Sequence, residues 1–351
     1  MVRGEQATTA QPRTVRWAYA PSRRAAILAL ALVTLTFVAL LSLAVGSRSI
    51  GLSTTVHALT SYDPADPEEL IVHDVRVPRT LVGLLVGVAL GLAGGLMQGV
   101  TRNPLADPGL LGVTAGAATA IAVAVLVAGV GALTGYIWFA FAGAAIGVVI
   151  VYGIASFGRD GPTPIKLALA GAAVSALFTS ITTLLVLRDL DTLNALRFWL
   201  VGSIAERGGD IARDIWPFIL VGTVLALACG RLLNGLALGE DVARSLGQRV
   251  VRTRALVGAC IVLLAGTATA AAGPIVFVGL VVPHVARAIT GPDYRWILAF
   301  CAVLAPTMLL AADIAGRVVA PPRELGVSVV TVLVGGPLFI ALVRRRKPVE
   351  L

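Results

Sequence analysis

Apolar residues run through this chain in long blocks. They show neither the short alternation of a half-buried strand nor the one-sided stripe of a soluble helix. Crossing a bilayer as a helix takes roughly 20 consecutive apolar residues. Ten stretches approach that length: about 24–46, 80–100, 110–130, 136–157, 166–187, 212–232, 252–272, 275–290, 295–314 and 326–343. The eighth is short and interrupted by Pro283. The pattern predicts an all-α, polytopic membrane protein of about ten transmembrane helices. A tail at 1–23 precedes a single transmembrane domain at 24–347, and 348–351 form a short end. The first apolar run, Ala25 to Val45, is long enough to span and reads as a retained helix, not a cleaved leader.

Composition agrees. The chain is 57% hydrophobic and 13% charged, where a soluble domain carries about 25% charged residues. The net charge of +9 sits in loops and tails, where it sets topology; it is not the footprint of a nucleic-acid binder. Lysine and arginine bias puts the tail Arg344–Lys347 and the head residues Arg13, Arg16, Arg23 and Arg24 in the cytoplasm. An even number of spans lets both termini agree. Arg102, Arg159, Lys166, Arg244, Arg249, Arg252 and Arg254 then fall in cytoplasmic loops. The external loops 47–79, 188–211 and 315–325 also hold arginines, which this rule leaves unexplained. Cys229, Cys260 and Cys301 lie far apart in apolar runs and read as small buried hydrophobes.

Gly87-x3-Gly91 and Gly91-x2-Gly94-Gly95 put small residues on one face of the second span. Lipid gives helices no hydrophobic reason to associate, so close backbone approach must supply the packing. The segment from Asn103-Pro104 to Gly109-Leu110 aligns with that from Gly273-Pro274 to Gly279-Leu280 at an offset of 170. That offset crosses five spans. An odd number makes the halves inverted copies, an arrangement transporters use to rock around a midplane path.

Ion-coupled carriers keep ionisable side chains within the membrane. Residues 110–158 contain no Asp, Glu, Lys, Arg or His, and the cores of spans five, six, seven, nine and ten read as equally bare. The chain also lacks a G-x-x-x-x-G-K-[ST] phosphate loop. Energy is therefore expected from a separate polypeptide docked at a cytoplasmic loop. Residues 236–247 suit that role. Glu240 and Asp241 favour a helix N-terminus, Arg244 pairs with Glu240 at i,i+4, and Gly247 is a natural stop. A short helix there would place Leu238, Val242 and Leu246 on one apolar stripe, with Gly239 and Ala243 completing the lever. A helix lying flat on the membrane is the alternative.

Four blocks now carry a resemblance: Arg76-Val-Pro-Arg79-Thr80; Gln98 to Gly112 with Asn103-Pro104 inside it; Leu238-Gly239-Glu240 to Leu246-Gly247; and Gly273-Pro274 to Arg287 with Gly279, Pro283 and His284. In collinear order from about 25 to 347, the chain resembles the permease subunits of bacterial iron–siderophore and vitamin B12 ABC importers, the FecCD-type family. Val276 stands where that family often has glycine.

The resemblance implies a BtuC-like type II ABC importer permease in the cell membrane. Two permeases, a homodimer or a heterodimer with a paralogue, would surround a central path above two cytoplasmic ABC ATPases. An extracytoplasmic siderophore-binding protein would deliver cargo, lipid would surround the bundle, and nucleic acid would play no part. The chain would have no catalytic residue, metal or cofactor of its own; ATP and magnesium would sit on the ATPases. The loop 236–247 would be the coupling segment. Arg76, Arg79, Arg317 and Arg323 would meet acidic residues of the binding protein, although Arg76 and Arg79 anchoring a span end at the headgroups is the alternative.

For the path or gate, Ser175, Thr179 and Thr183 on span five, then Trp199 and Ser203, are candidates for the outer mouth. Hydroxyls bonded within their own helix are the alternative. Asn103 and Pro104 suit either a hinge or a fixed turn, and Pro274, Pro283 and His284 complete the set. A lone histidine without Cys, Asp or Glu at ligand spacing is not a metal site. The expected cargo is a ferric chelate, with cobalamin, haem or another metal chelate as the alternative. An ion-coupled carrier is the reading from a different class.

Overall fold

The computed structural model describes residues 21–46, 50–129, 133–157, 163–188, 199–205, 208–319 and 324–345. In chain order the helices are α1 (Pro21–Ala44), α2 (Leu52–Thr60), α3 (Pro67–Ile71), a π-helical turn at Val72–Arg76, and α4 (Val77–Thr101). Then come α5 (Val113–Ala128), α6 (Leu133–Ala155), α7 (Pro164–Arg188), α8 (Gly209–Ala228), α9 (Gly230–Ala237) and α10 (Glu240–Ser245). The last four are α11 (Val250–Ala272), α12 (Val278–Thr290), α13 (Tyr294–Val319) and α14 (Val327–Arg345).

All ten apolar stretches have become helices. Among the described residues seven helices are long and apolar enough to cross a membrane; α5, α12 and the apolar part of α14 are shorter. α12 has 13 residues, a rise of only about 20 Å against a hydrocarbon core of about 30 Å. The non-helical segment 273–277 precedes it and covers part of the remaining depth.

α4 is the axis of the bundle. Of its apolar window 78% is buried, against 28% for α7. The small-residue face explains how. A Cβ at Gly87 would lie 2.3 Å from Pro306 Cα, and at Gly91 2.4 Å from Ala305 Cβ. Gly83 meets Leu310 and Gly95 meets Leu298, so the contact descends α13 as it ascends α4. The two helices are antiparallel and pack backbone to backbone.

α4 and α11 are antiparallel as well. The N–H of Ser203 donates to the carbonyl of Ala272 at 2.9 Å, and neighbouring Ile204 touches Gly83. The C-terminus of α11 therefore lies beside the N-terminal part of α4. At the other end Arg102 and Arg254 converge on Glu240. The breaks after these two helices, 102–112 and 273–277, thus enter the bundle from opposite ends. They meet inside it: a Cβ at Gly109 would lie 3.9 Å from Val276 Cγ1, and one at Gly279, in the first turn of α12, would lie 3.0 Å from Asp107 Oδ2, while Gly279 O is the neighbour of Gly94 on α4. Gly94 sits about 10 Å from the C-terminal end of α4 along its axis.

Two features depart from the expected layout. Residues 50–76, read as loop, hold α2 and α3 around their own small core of Ile50, Ala58 and Val72. Glu69 ties that cap together, pairing with His57 Nδ1 at 2.5 Å and accepting from Asp63 N at 2.7 Å. In addition, α13 continues to Val319, past the expected end at 314. Asp313, already inside the expected span, is enclosed at 1% exposure. The ninth span, whose core reads as bare, thus carries one acid next to its expected end.

Candidate functional site

At one end of the bundle, a short helix stands where the sequence predicts one. α10 begins at Glu240, and its chain stops at Gly247, whose φ of +81° favours glycine. Leu238, Val242 and Leu246 are 64, 43 and 69% exposed, and Asp241 is fully exposed. Ala243 faces inward at 0%. Of the three apolar residues only Val242 lies within α10, because Gly239 at φ +109° turns the chain between Leu238 and the helix; the knob exposes three apolar residues, not one helical stripe, and seats itself by one small residue.

Glu240 is not presented to a partner; it braces the knob. Its carboxylate accepts from Arg244 Nη2 at 3.1 Å and from Arg254 Nη2, and Arg102 Nη2 lies 4.0 Å away. One carboxylate thus links α10 to the C-terminal end of α4 and the N-terminal part of α11. Gln248 adds a second brace. Its Nε2 donates to Leu232 O at 2.9 Å and to Thr253 Oγ1 at 3.2 Å, joining α9 to α11. Sequence reasoning missed Arg254 and Gln248. A 14-residue gap from Glu240 to Arg254 carries no helical periodicity to reveal the pair.

Where the two breaks meet, the predicted gate residues serve the backbone. Asn103 Oδ1 accepts from Leu105 N at 2.9 Å and Asp107 Oδ1 from Gly109 N at 2.8 Å, which is fixed-turn geometry. Pro104 is half-buried between them, and the carbonyl of Pro274 packs on Gly202. Pro283 is buried and His284 half-buried on α12. Nearby, fully buried Gln98 donates to Leu280 O at 3.1 Å and accepts from Arg287 Nη2 at 3.2 Å.

On α7, Thr179 and Thr183 are exposed, and the Thr183 hydroxyl donates to Thr179 O at 2.9 Å within the helix. Ser175 Oγ is enclosed and unpartnered among the described residues. Trp199 is not a mouth-lining side chain. It is buried, and its Nε1 donates to Ala270 O at 3.2 Å, because the indole N–H needs an acceptor and the end of α11 offers one. Ser203 is held by that same end of α11 and caps its own turn through Ala205 N. Phe198 lies outside the described residues.

The opposite end departs most from expectation. Arg76, Arg79 and Arg317 are 4, 6 and 2% exposed, so they are neither open docking groups nor headgroup anchors. Asp313 is grasped from two sides. Arg79 donates from Nη2 at 2.7 Å and from Nε at 3.1 Å, and Arg317 from Nε at 2.9 Å and from Nη2. Arg79 Nη1 also donates to Glu324 Oε2 at 2.6 Å. Arg317 reaches Ser42 O at 2.8 Å and Ser42 Oγ at 3.0 Å, and Arg76 Nη1 reaches Ala44 O at 2.6 Å. The physical reason is local supply. The chain places its own carboxylates one helical turn before Arg317 and just ahead of α14, and a guanidinium leaving water takes the nearest one. Glu324, 25% exposed, is the member that reaches the surface. Arg323 lies outside the described residues.

The profile of the FecCD transport family matches residues 34–345. The ferric enterobactin transport system permease protein FepD of Escherichia coli (strain K12) is 43% identical over 316 residues, covering 90% of this chain and 94% of that protein. The iron(3+)-hydroxamate import system permease protein FhuB of Bacillus subtilis (strain 168) is 39% identical over 334 residues, covering 95% and 86%. Among solved structures, a metal-chelate type ABC transporter in an inward-facing conformation superposes with a TM-score of 0.78 at 29% identity, covering 92% of this chain and 100% of the other.

Proposed function

The chain belongs to the FecCD transport family, and on that footing we propose that it is the transmembrane permease subunit of an ATP-driven importer of ferric–siderophore complexes. Two permeases, identical or paralogous, stand over two ABC ATPases that bind ATP and magnesium, and an extracytoplasmic protein delivers the chelate. The end bearing α10 and both termini face the cytoplasm.

One observation carries this reading: exposed apolar residues on and beside a short helix that is clamped to the bundle. A helix meant only to lie on the surface needs no such bracing. The ATPase holds Leu238, Val242 and Leu246 in a cleft. When ATP closes the motor, α10 moves, and Glu240 passes that displacement to α4 and α11. Those helices lead into the two breaks that meet at Gly109 and Val276, so their tilt parts the bundle from one side or the other. The hydroxyls of Ser180, Thr182 and Thr183 are already bonded within α7 and would give a weakly binding wall, which suits a bulky cargo that must leave again.

The test is uptake of radioiron-loaded catecholate, hydroxamate and citrate chelates in a deletion strain carrying this chain and its operon partners, with cobalamin as competitor. ATP-dependent accumulation of at least one ferric chelate is expected, lost when Leu238 and Leu246 are both replaced by Asp. Accumulation of cobalamin alone would move the cargo assignment. Undiminished uptake in the Asp variant would remove the lever.

A further inference from the structure

A cavity of about 510 Å³ opens where α8 turns into α9 and α13 begins, lined by Leu227, Ala228, Arg231, Arg295, Trp296 and Ala299. Its walls are set by a close backbone approach. A Cβ at Gly230 would lie 3.0 Å from Arg295 Cα, so two helix junctions touch and carry Arg231 and Arg295 on either side of one opening. Both arginines are exposed, and among the described residues neither has a carboxylate partner. That sets them apart from Arg79, Arg244, Arg254 and Arg317, each of which is paired. The neighbouring acid, Asp293, is engaged inward: its Oδ1 accepts from Asn234 Nδ2 at 2.7 Å and from Arg295 N at 3.0 Å. Two cations and one occupied carboxylate leave the opening positive.

The rest of the surroundings is apolar in a directed way. Trp216, Leu220, Val224 and Leu227 are exposed at i, i+4, i+8 and i+11 of α8, which places them on one face. That face runs from the cavity along the bundle, away from the α10 end. Ala228 and Ala299 keep the floor open between the helices. Trp296 stands half-buried beside the two arginines, where interfacial tryptophans sit at headgroup level.

We propose that this cavity holds the headgroup of an anionic phospholipid, its phosphate between Arg231 and Arg295 and its acyl chains along the exposed face of α8. Two guanidinium groups match a phosphate diester by paired charge-assisted hydrogen bonds. A net anionic headgroup such as phosphatidylglycerol gains from both charges, whereas a choline headgroup brings a tethered cation that both oppose. The cavity lies one short helix before α10, so an occupied site also stiffens the junction from which the lever projects.

The test uses the full purified chain in detergent, titrated with phosphatidylglycerol or phosphatidylcholine and read by native mass spectrometry. Wild type should retain phosphatidylglycerol about tenfold or more over phosphatidylcholine, given roughly 1 kcal/mol for each basic residue near an anionic surface. Arg231→Gln with Arg295→Gln should remove that preference, and Arg252→Gln, an exposed arginine outside the cavity, should leave it intact. Ala228→Trp fills the cavity without altering charge and should lower phosphatidylglycerol retention as well. Equal retention of the two lipids, or an equal loss in Arg252→Gln, would overturn the site. So would intact lipid retention in the double Gln variant that instead fails to co-purify with its ATPase, which would make the ATPase the occupant.

Discussion

Replacing Asp313 by Ala tests the buried ion cluster and, with it, the way three helices are held together. Asp313 receives hydrogen bonds from both Arg79 and Arg317, and it sits at 1% exposure. Without it, Arg317 keeps only oxygens of Ser42 and Val45, and Arg79 keeps only Glu324. The cluster of Arg76, Arg79 and Arg317 then has one carboxylate in place of two. Removing one partner of a buried pair costs roughly 3–5 kcal/mol, chiefly because the other charge stays buried and uncompensated. The expected penalty here lies in that range. Adding Arg317→Met removes the stranded charge and should recover on the order of 1–2 kcal/mol, a coupling typical of contacting residues. The assay is built into the chain: Cys229, Cys260 and Cys301 are all buried, so a thiol-reactive fluorescent dye reports unfolding on heating or denaturant titration. An Asp313→Ala variant within about 0.5 kcal/mol of wild type, the range of an ordinary surface change, would refute the reasoning.

Other consequences follow from particular contacts. Gly87→Leu drives side-chain atoms into the backbone at Pro306, where even a Cβ would lie 2.3 Å away. It should abolish a folded, monodisperse peak in size-exclusion chromatography, whereas Gly153→Ala, with nothing within 4 Å of its Cβ, should not. Leu238→Ala with Leu246→Ala removes only exposed apolar surface. Its thermal unfolding should match wild type while co-purification of the ATPase falls about tenfold or more, as for loss of two interface anchors. Glu240→Gln keeps the shape of α10 but weakens its ties to Arg244 and Arg254. ATP hydrolysis should continue while uptake per ATP drops, measured together in proteoliposomes.

The apolar blocks were readable because bilayer thickness imposes a length that composition alone reveals, and all ten became helices. The glycine face of α4 was readable for a related reason: small residues at helical spacing have few uses in lipid other than close packing. The start and stop of α10 rest on local chemistry at Glu240 and Gly247, within one short segment; the single apolar stripe does not form, because Gly239 turns the chain between Leu238 and the helix. What stayed hidden depends on distance along the chain. Arg79 and Asp313 are separated by 234 positions, and nothing in either neighbourhood indicates that they touch. The arginines therefore looked like open external groups. Trp199 seemed a mouth residue because its acceptor, the Ala270 carbonyl, has no side-chain signature. The α2–α3 cap was missed because its core is only three residues and its polar surface reads as loop.

The most direct test of the account is cargo accumulation in proteoliposomes containing this chain, its ATPase, and the binding protein with a ferric chelate. The account predicts accumulation that requires ATP on the α10 side and disappears when the ATPase is omitted, whatever ion gradient is imposed. Accumulation by the chain alone, driven by a proton or sodium gradient without nucleotide, would contradict it.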